Sequence, residues 1–83
     1  MKREEARQIV YEALDAVTGL SEEEIDEDDY LSGMDIGLEE FDEVKEIIEA
    51  DAGVDLRDLH YKISMRVVSL IYAVQSSGEE DGY

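Results

Sequence analysis

The chain has 83 residues, no cysteine, no proline and a formal net charge of -17, from 24 acidic and 7 basic residues. A chain of this length forms one small domain with a modest core and leaves no room for a catalytic cleft between domains. The absence of cysteine excludes disulfides, thiolate zinc sites and cysteine nucleophiles. The charge disfavours nucleic acid and anionic membranes as partners, and it favours a basic protein surface.

The first residues argue against a targeting segment. Acidic residues begin at Glu4, directly after Lys2 and Arg3, and no run is apolar enough for a signal peptide or a membrane span. We therefore expect a cytoplasmic protein with no membrane partner. We also expect it to be a monomer.

The first predicted helix ends at Thr18 and Gly19, because glycine adopts the left-handed conformation after a helix without a Cβ penalty. Its apolar residues recur at steps of three and four, which is typical of one buried stripe. That stripe consists of Ala6, Ile9, Val10, Ala13, Leu14 and Val17.

A long acidic loop is predicted between the first two helices. Ser21 and Glu24 have the spacing of a capping box, in which the serine hydroxyl accepts from the Glu24 amide. Three apolar residues are expected to anchor the loop to the core: Ile25, Tyr30 and Leu31.

The second predicted helix begins near Gly37 or Leu38, runs to Ala50 or Ala52, and is closed by Gly53. Its expected inner face consists of Leu38, Phe41, Val44, Ile47 and Ile48. Its expected outer face consists of Glu39, Glu40, Asp42, Glu43, Glu46 and Glu49, with Lys45 as the only cation of the helix.

The C-terminal part is predicted to hold two further helices. Val54 and Leu56 return to the core, a short helix begins at Asp58, and a last helix is capped by Ser64. The last helix carries Val67, Val68, Leu70, Ile71 and Val74. Residues 1–75 are thus expected to form a single helical domain, and residues 76–83 a disordered acidic tail.

The acidic stretch 35–56 resembles the recognition helix of the acyl carrier protein family. Gly53-Val-Asp-Leu is similar to the segment that follows this helix in the family, and Lys62-Ile-Ser-Met is similar to its entry into the last helix. Gly19-Leu-Ser-Glu-Glu-Glu-Ile likewise resembles the turn after the family's first helix. The resemblance implies an all-α, acyl-carrier-protein-like four-helix bundle, with three long helices, one short helix before the last, and a long loop after the first.

The chain departs from the family at the attachment serine for 4′-phosphopantetheine. Gly37 or Leu38 occupies that position, depending on the register, and neither side chain has a hydroxyl that could attack the pyrophosphate of coenzyme A. No cofactor is therefore expected. Ser32 is the fallback attachment candidate in the loop. A second departure is Ala52, where the family commonly has phenylalanine, so Tyr30 or Tyr61 is expected to fill the lost core volume.

The resemblance implies an acidic docking or regulatory module, not an enzyme, that binds a basic surface on a biosynthetic enzyme. The expected contact residues are Met34, Ile36, Glu39, Glu40, Glu43 and Glu46. One alternative is a working carrier in fatty acid or polyketide synthesis with its arm on Ser32. Another is an unrelated acidic helical protein that binds calcium weakly through Asp29–Glu40, although Leu31 and Met34 stand where such a loop needs an oxygen ligand and a glycine. The only histidine, His60, is interpreted as a packing or surface residue.

Overall fold

A computed structural model of the protein describes residues 1–79. Within this range the chain is all-helical, with no β-strand. The three α-helices are α1 (Arg3–Thr18), α2 (Leu38–Ala52) and α3 (Val67–Glu79), and two short 3-10 helices, Glu22–Glu24 and Leu31–Met34, lie between α1 and α2. None of these helices is both long enough and apolar enough to cross a membrane.

α1 and α2 end as the sequence predicts. Gly19 and Gly53 follow them in the left-handed conformation, with φ of 77° and 68°. The amide of Gly19 donates to the Asp15 carbonyl at 2.8 Å, which satisfies one of the last carbonyls of α1. The two glycines therefore define both helix ends.

One apolar core lies between the three helices. The stripe predicted for α1 faces it, with Ala6, Val10, Ala13 and Leu14 buried and Ile9 and Val17 partly buried. The other helices add Phe41, Val44, Ile48, Val67, Leu70, Ile71 and Val74. Tyr61 fills space beside α2, with its ring centroid 5.4 Å from that of Phe41. It is one of the two tyrosines proposed to compensate for Ala52.

The loop between α1 and α2 is anchored by two of its three predicted residues. Ile25 and Leu31 are buried, but the prediction for Tyr30 is wrong, because its side chain is 45% exposed and lies against the Arg66 guanidinium. The predicted capping box is also not formed. The Ser21 hydroxyl donates to the Glu24 carboxylate at 3.1 Å instead of accepting from the Glu24 amide.

Ion pairs tie this loop to α1. The Glu27 carboxylate accepts hydrogen bonds from Arg3 and from Arg7, and Arg7 also pairs with Glu22 at 3.0 Å. Tyr11, buried beneath the Arg7 guanidinium, donates its hydroxyl to the Ile25 carbonyl at 3.4 Å. The hydrogen bond from Arg3, and to a smaller degree that from Arg7, lowers the pKa of the Glu27 carboxyl against the opposing effect of burial.

Glu27→Gln is expected to lower the free energy of unfolding by about 1 kcal/mol near neutral pH. Because the pKa of Glu27 is lower in the folded chain, its ionised form stabilises the fold above the unfolded pKa, and this contribution is lost as the pH falls through the folded pKa. Urea denaturation in neutral and in strongly acidic buffer measures the difference, which should vanish in acid. Glu23→Gln, at an exposed position in the same loop, is the control, and an equal loss at neutral pH in both variants would show that the ion pairs do not stabilise the loop.

α3 begins later than predicted, and Ser64 is not its cap. The amides of Val67 and Val68 donate to the carbonyls of Asp29 and Glu27, at 3.0 and 2.9 Å. Loop carbonyls thus satisfy donors that a capping side chain would otherwise satisfy. At its other end α3 continues to Glu79, four residues into the segment predicted to be disordered, and residues 80–83 lie outside the described range.

The short helix predicted from Asp58 is absent, and residues 53–66 form an irregular segment with turns. Carbonyls that a helix would need are bonded to groups elsewhere in the chain. Lys45 Nζ donates to the Leu59 carbonyl at 2.8 Å, and the amide of Leu31 donates to the Met65 carbonyl at 3.0 Å. These tertiary bonds hold the segment against α2 and the loop in a non-helical path.

Candidate docking surface

The start of α2 is fixed by a glycine and a glutamate. Gly37 is the N-cap, with φ of -97° and ψ of -163°, an extended conformation open to any residue. Its amide donates to Glu40 Oε1 at 2.9 Å, so the Glu40 side chain closes the first turn from inside the helix. Leu38 is the first helical residue. Of the two positions considered for the attachment serine, Gly37 is the one that caps the helix.

The outward face of α2 carries a continuous set of carboxylates. The side chains of Phe41, Val44 and Ile48 are buried, and the helical period turns the acidic residues between them to solvent. The exposed acidic residues of this face are Glu39, Asp42, Glu43 and Glu46. Three of the four carboxylates predicted as contact residues are therefore exposed. Asp42, which was expected on the outer face but not as a contact residue, is exposed beside them.

Glu40 differs from the other predicted carboxylates. It is only partly exposed, and one of its oxygens is bonded to the Gly37 amide. Glu40 stabilises the first turn of α2, so its replacement would disturb the helix as well as the surface charge. This role of Glu40 could have been predicted from the sequence, since a glutamate three residues after an N-cap commonly bonds back to the N-cap amide.

The apolar part of the surface differs from the prediction. Ile36 is 1% exposed and belongs to the core, so its expected role at the surface is wrong. Met34 is partly buried and packs against the core. Leu38, which periodicity places inside, is 66% exposed, because the chain enters α2 with Ile36 already filling the inner position.

A second exposed apolar residue lies in the segment between α2 and α3. Ile63 is 76% exposed. Its carbonyl accepts the Ser32 hydroxyl at 3.3 Å, and the Tyr61 hydroxyl donates to the Ile36 carbonyl at 3.0 Å. These bonds place residues 61–63 beside the loop that leads into α2. Sequence reasoning missed Ile63, because this segment was expected to be helical.

Lys45 does not neutralise the acidic face. Its ammonium lies 5.5 Å from the centroid of the Phe41 ring and is bonded to the Leu59 carbonyl, on the side of α2 that faces the irregular segment. Glu49, predicted on the outer face, is partly buried and accepts the Leu56 amide at 2.8 Å. One cation and one anion of α2 thus hold the segment, and the exposed carboxylates have no lysine or arginine of α2 among them.

The two alternative sites are the attachment candidate Ser32 and the calcium-loop frame Asp29–Glu40. Ser32 is exposed within the 3-10 helix Leu31–Met34, six residues before α2 begins, and its hydroxyl points to the Ile63 carbonyl. In the calcium-loop frame, the end residues Asp29 and Glu40 are both bonded to backbone amides, of Asp26 and Gly37. Within residues 1–79 no group of three or more histidine, cysteine or acidic side chains is arranged to hold a metal ion. His60 is exposed.

No protein-family model, curated protein or solved structure matches this chain. The surface of α2 and the sequence patterns are therefore the features of this chain that bear on its function.

Proposed function

We propose that the protein is an acidic docking or regulatory module of the acyl carrier protein type, without a phosphopantetheine arm, that binds a basic surface on a partner enzyme. The observation that carries the proposal is the outward face of α2, where Glu39, Asp42, Glu43 and Glu46 are exposed together. A set of carboxylates on one rigid helix attracts a complementary cluster of Lys and Arg and raises the rate of association with it.

Two features support the likeness to carriers. A long loop precedes α2, and Ile36-Gly37-Leu38 stands where the family has Asp-Ser-Leu at a helix start. The short helix that the family has before its last helix is missing from the described residues. The carrier-like arrangement of the three long helices is part of the proposal, without the short helix. So are the monomeric state, which is favoured by self-repulsion at a net charge of -17, and the cytoplasmic location.

The proposed loss of the phosphopantetheine attachment site is tested by introducing a serine hydroxyl at position 37. In Gly37→Ser the new Cβ would lie 3.1 Å from Glu40 Oε1, a close contact that a small shift of the carboxylate relieves while its bond to the residue-37 amide is kept. Serine is as good an N-cap as glycine or better, so stability should change by only about a few tenths of a kcal/mol. Incubated with coenzyme A and a broad-specificity phosphopantetheinyl transferase, the parent chain should keep its mass, and Gly37→Ser should gain one phosphopantetheine group. Intact mass spectrometry reads both results.

Two variants serve as controls. Leu38→Ser places a hydroxyl one residue later, within the helix, and should be modified poorly or not at all. Ser32→Ala tests the fallback site, since a mass gain of the parent chain that disappears in this variant would establish a working carrier instead. If neither Gly37→Ser nor Leu38→Ser is modified, the likeness of α2 to a carrier helix is contradicted.

A further inference from the structure

The two most exposed large apolar side chains among the described residues lie on neighbouring segments. Leu38 and Ile63 are separated by 25 positions in sequence, yet the bonds from Tyr61 to Ile36 and from Ser32 to Ile63 join their segments. Exposed apolar residues are common singly, but a pair beside a charged face is typical of a binding surface with an apolar centre and a polar rim. Glu39, Asp42 and Glu43 follow Leu38 directly on α2 and supply the acidic rim.

The position of Ile63 depends on α2 itself. Lys45 holds the Leu59 carbonyl at 2.8 Å, Glu49 holds the Leu56 amide at 2.8 Å, and the Tyr61 ring packs against Phe41. The segment that presents Ile63 is therefore fastened to α2 at several points along its length. A fixed spacing between Leu38 and Ile63 lowers the entropic cost of binding a partner that contacts both.

The surface favours a helix as its occupant. Addition of a strand requires an exposed sheet edge, and the part of the chain in the structure has no strand. A proline-rich peptide requires an aromatic groove, whereas the ring of Tyr61 packs on Phe41 and its hydroxyl is bonded to the Ile36 carbonyl. Glu39, Glu43 and Glu46 span roughly 10 Å along α2, a spacing that Lys or Arg at the same steps of a partner helix reproduces.

We propose that the partner presents one basic amphipathic helix, whose apolar residues contact Leu38 and Ile63 and whose Lys or Arg residues contact the carboxylates of α2. This inference rests on the proposed function and adds the form of the partner and a second contact segment. Lys45 acts as a positioning residue for Ile63, without touching the partner.

Two synthetic peptides with the same composition of Leu, Lys and Ala test the form of the partner. In one, leucines recur at steps of three and four, and in the other they alternate with lysine. Titration into the isotope-labelled full chain, followed by NMR, should give tighter binding of the helical peptide, with shifts at Leu38, Glu39, Glu43 and Ile63. Equal binding of both peptides would overturn the inference, since it would show that charge alone decides.

Variants separate this inference from the proposed function. Leu38→Ser with Ile63→Ser should weaken binding of the helical peptide about tenfold, whereas Tyr72→Ser, at an exposed apolar position on α3, should leave it unchanged. If the double variant has no effect but reversal of Glu39 and Glu43 abolishes binding, the inference fails and the proposed function stands. If the reversal has no effect either, the proposed function fails as well.

Lys45→Met should change the affinity for the basic helical peptide in opposite directions, depending on whether Lys45 positions Ile63 or acts only through its charge. The variant keeps most of the apolar stem, loses the bond to Leu59, and makes the chain one unit more negative. If Lys45 positions Ile63, affinity for the basic helical peptide should fall about threefold despite the added negative charge. A rise in affinity would overturn the positioning role. Circular dichroism confirms that the variant is folded.

Discussion

Replacing Phe41 with alanine is expected to lower the free energy of unfolding by about 3–5 kcal/mol, the range for aromatic truncation in a core. Phe41 is 1% exposed, packs at the centre of the core, and is the surface on which Tyr61 and the Lys45 ammonium lie. Its loss leaves a cavity and also removes the support of the segment between α2 and α3. Since small domains have a total stability of roughly 5–15 kcal/mol, the variant should be close to unfolding in water.

Urea denaturation followed by circular dichroism measures this loss. Tyr72→Ala is the control, because this ring is 57% exposed on α3 and its removal creates no cavity. Phe41→Leu should lie between the two, as it keeps part of the buried volume. A loss below about 1 kcal/mol for Phe41→Ala would contradict the central place of this ring in the core.

Glu39→Lys with Glu43→Lys is expected to slow association with a basic partner about tenfold at low ionic strength. Both side chains are exposed, and neither is bonded to the helix start, so the change acts on the charge of the surface and spares its shape. Glu40 is unsuitable for this test, because its carboxylate holds the Gly37 amide. A broad-specificity phosphopantetheinyl transferase serves as the partner, with binding kinetics measured by biolayer interferometry at several salt concentrations.

The matched control is Glu12→Lys with Asp15→Lys, which changes the net charge equally on exposed positions of α1. The effect on α2 should exceed that on α1 at low salt, and both should shrink as salt screens the field. An equal slowing in the two double variants would mean that only net charge matters and would contradict the proposal that α2 is the docking face.

The helices could be predicted because their signals are local. An apolar period of three to four marks α1 and α2, and Gly19 and Gly53 end them where the sequence indicates. The start of α3 and the path of residues 53–66 could not be predicted, because both depend on bonds to distant groups, such as that from Lys45 to the Leu59 carbonyl. No periodicity in the segment itself encodes such a bond.

The candidate surface could be predicted in the middle of α2 but not at its start. The period of α2 predicts that Glu39, Glu43 and Glu46 are exposed, and they are. It fails at the first turn, where Ile36 takes the inner position expected for Leu38. A periodic pattern describes the middle of a helix well, but at its start the direction of the incoming chain decides which apolar residue is buried.

The capping of α3 by loop carbonyls has a consequence for how the chain folds. The acceptors for the Val67 and Val68 amides, at Asp29 and Glu27, lie about forty residues upstream, so the first turn of α3 is completed only together with the loop after α1. Nucleation is the unfavourable step for any helix, and here it depends on a contact of long sequence separation. The last helix is therefore not an autonomous unit added to a preformed pair. We expect its formation and the closure of the loop to be one cooperative event, which couples the last helix to the loop after α1 during folding.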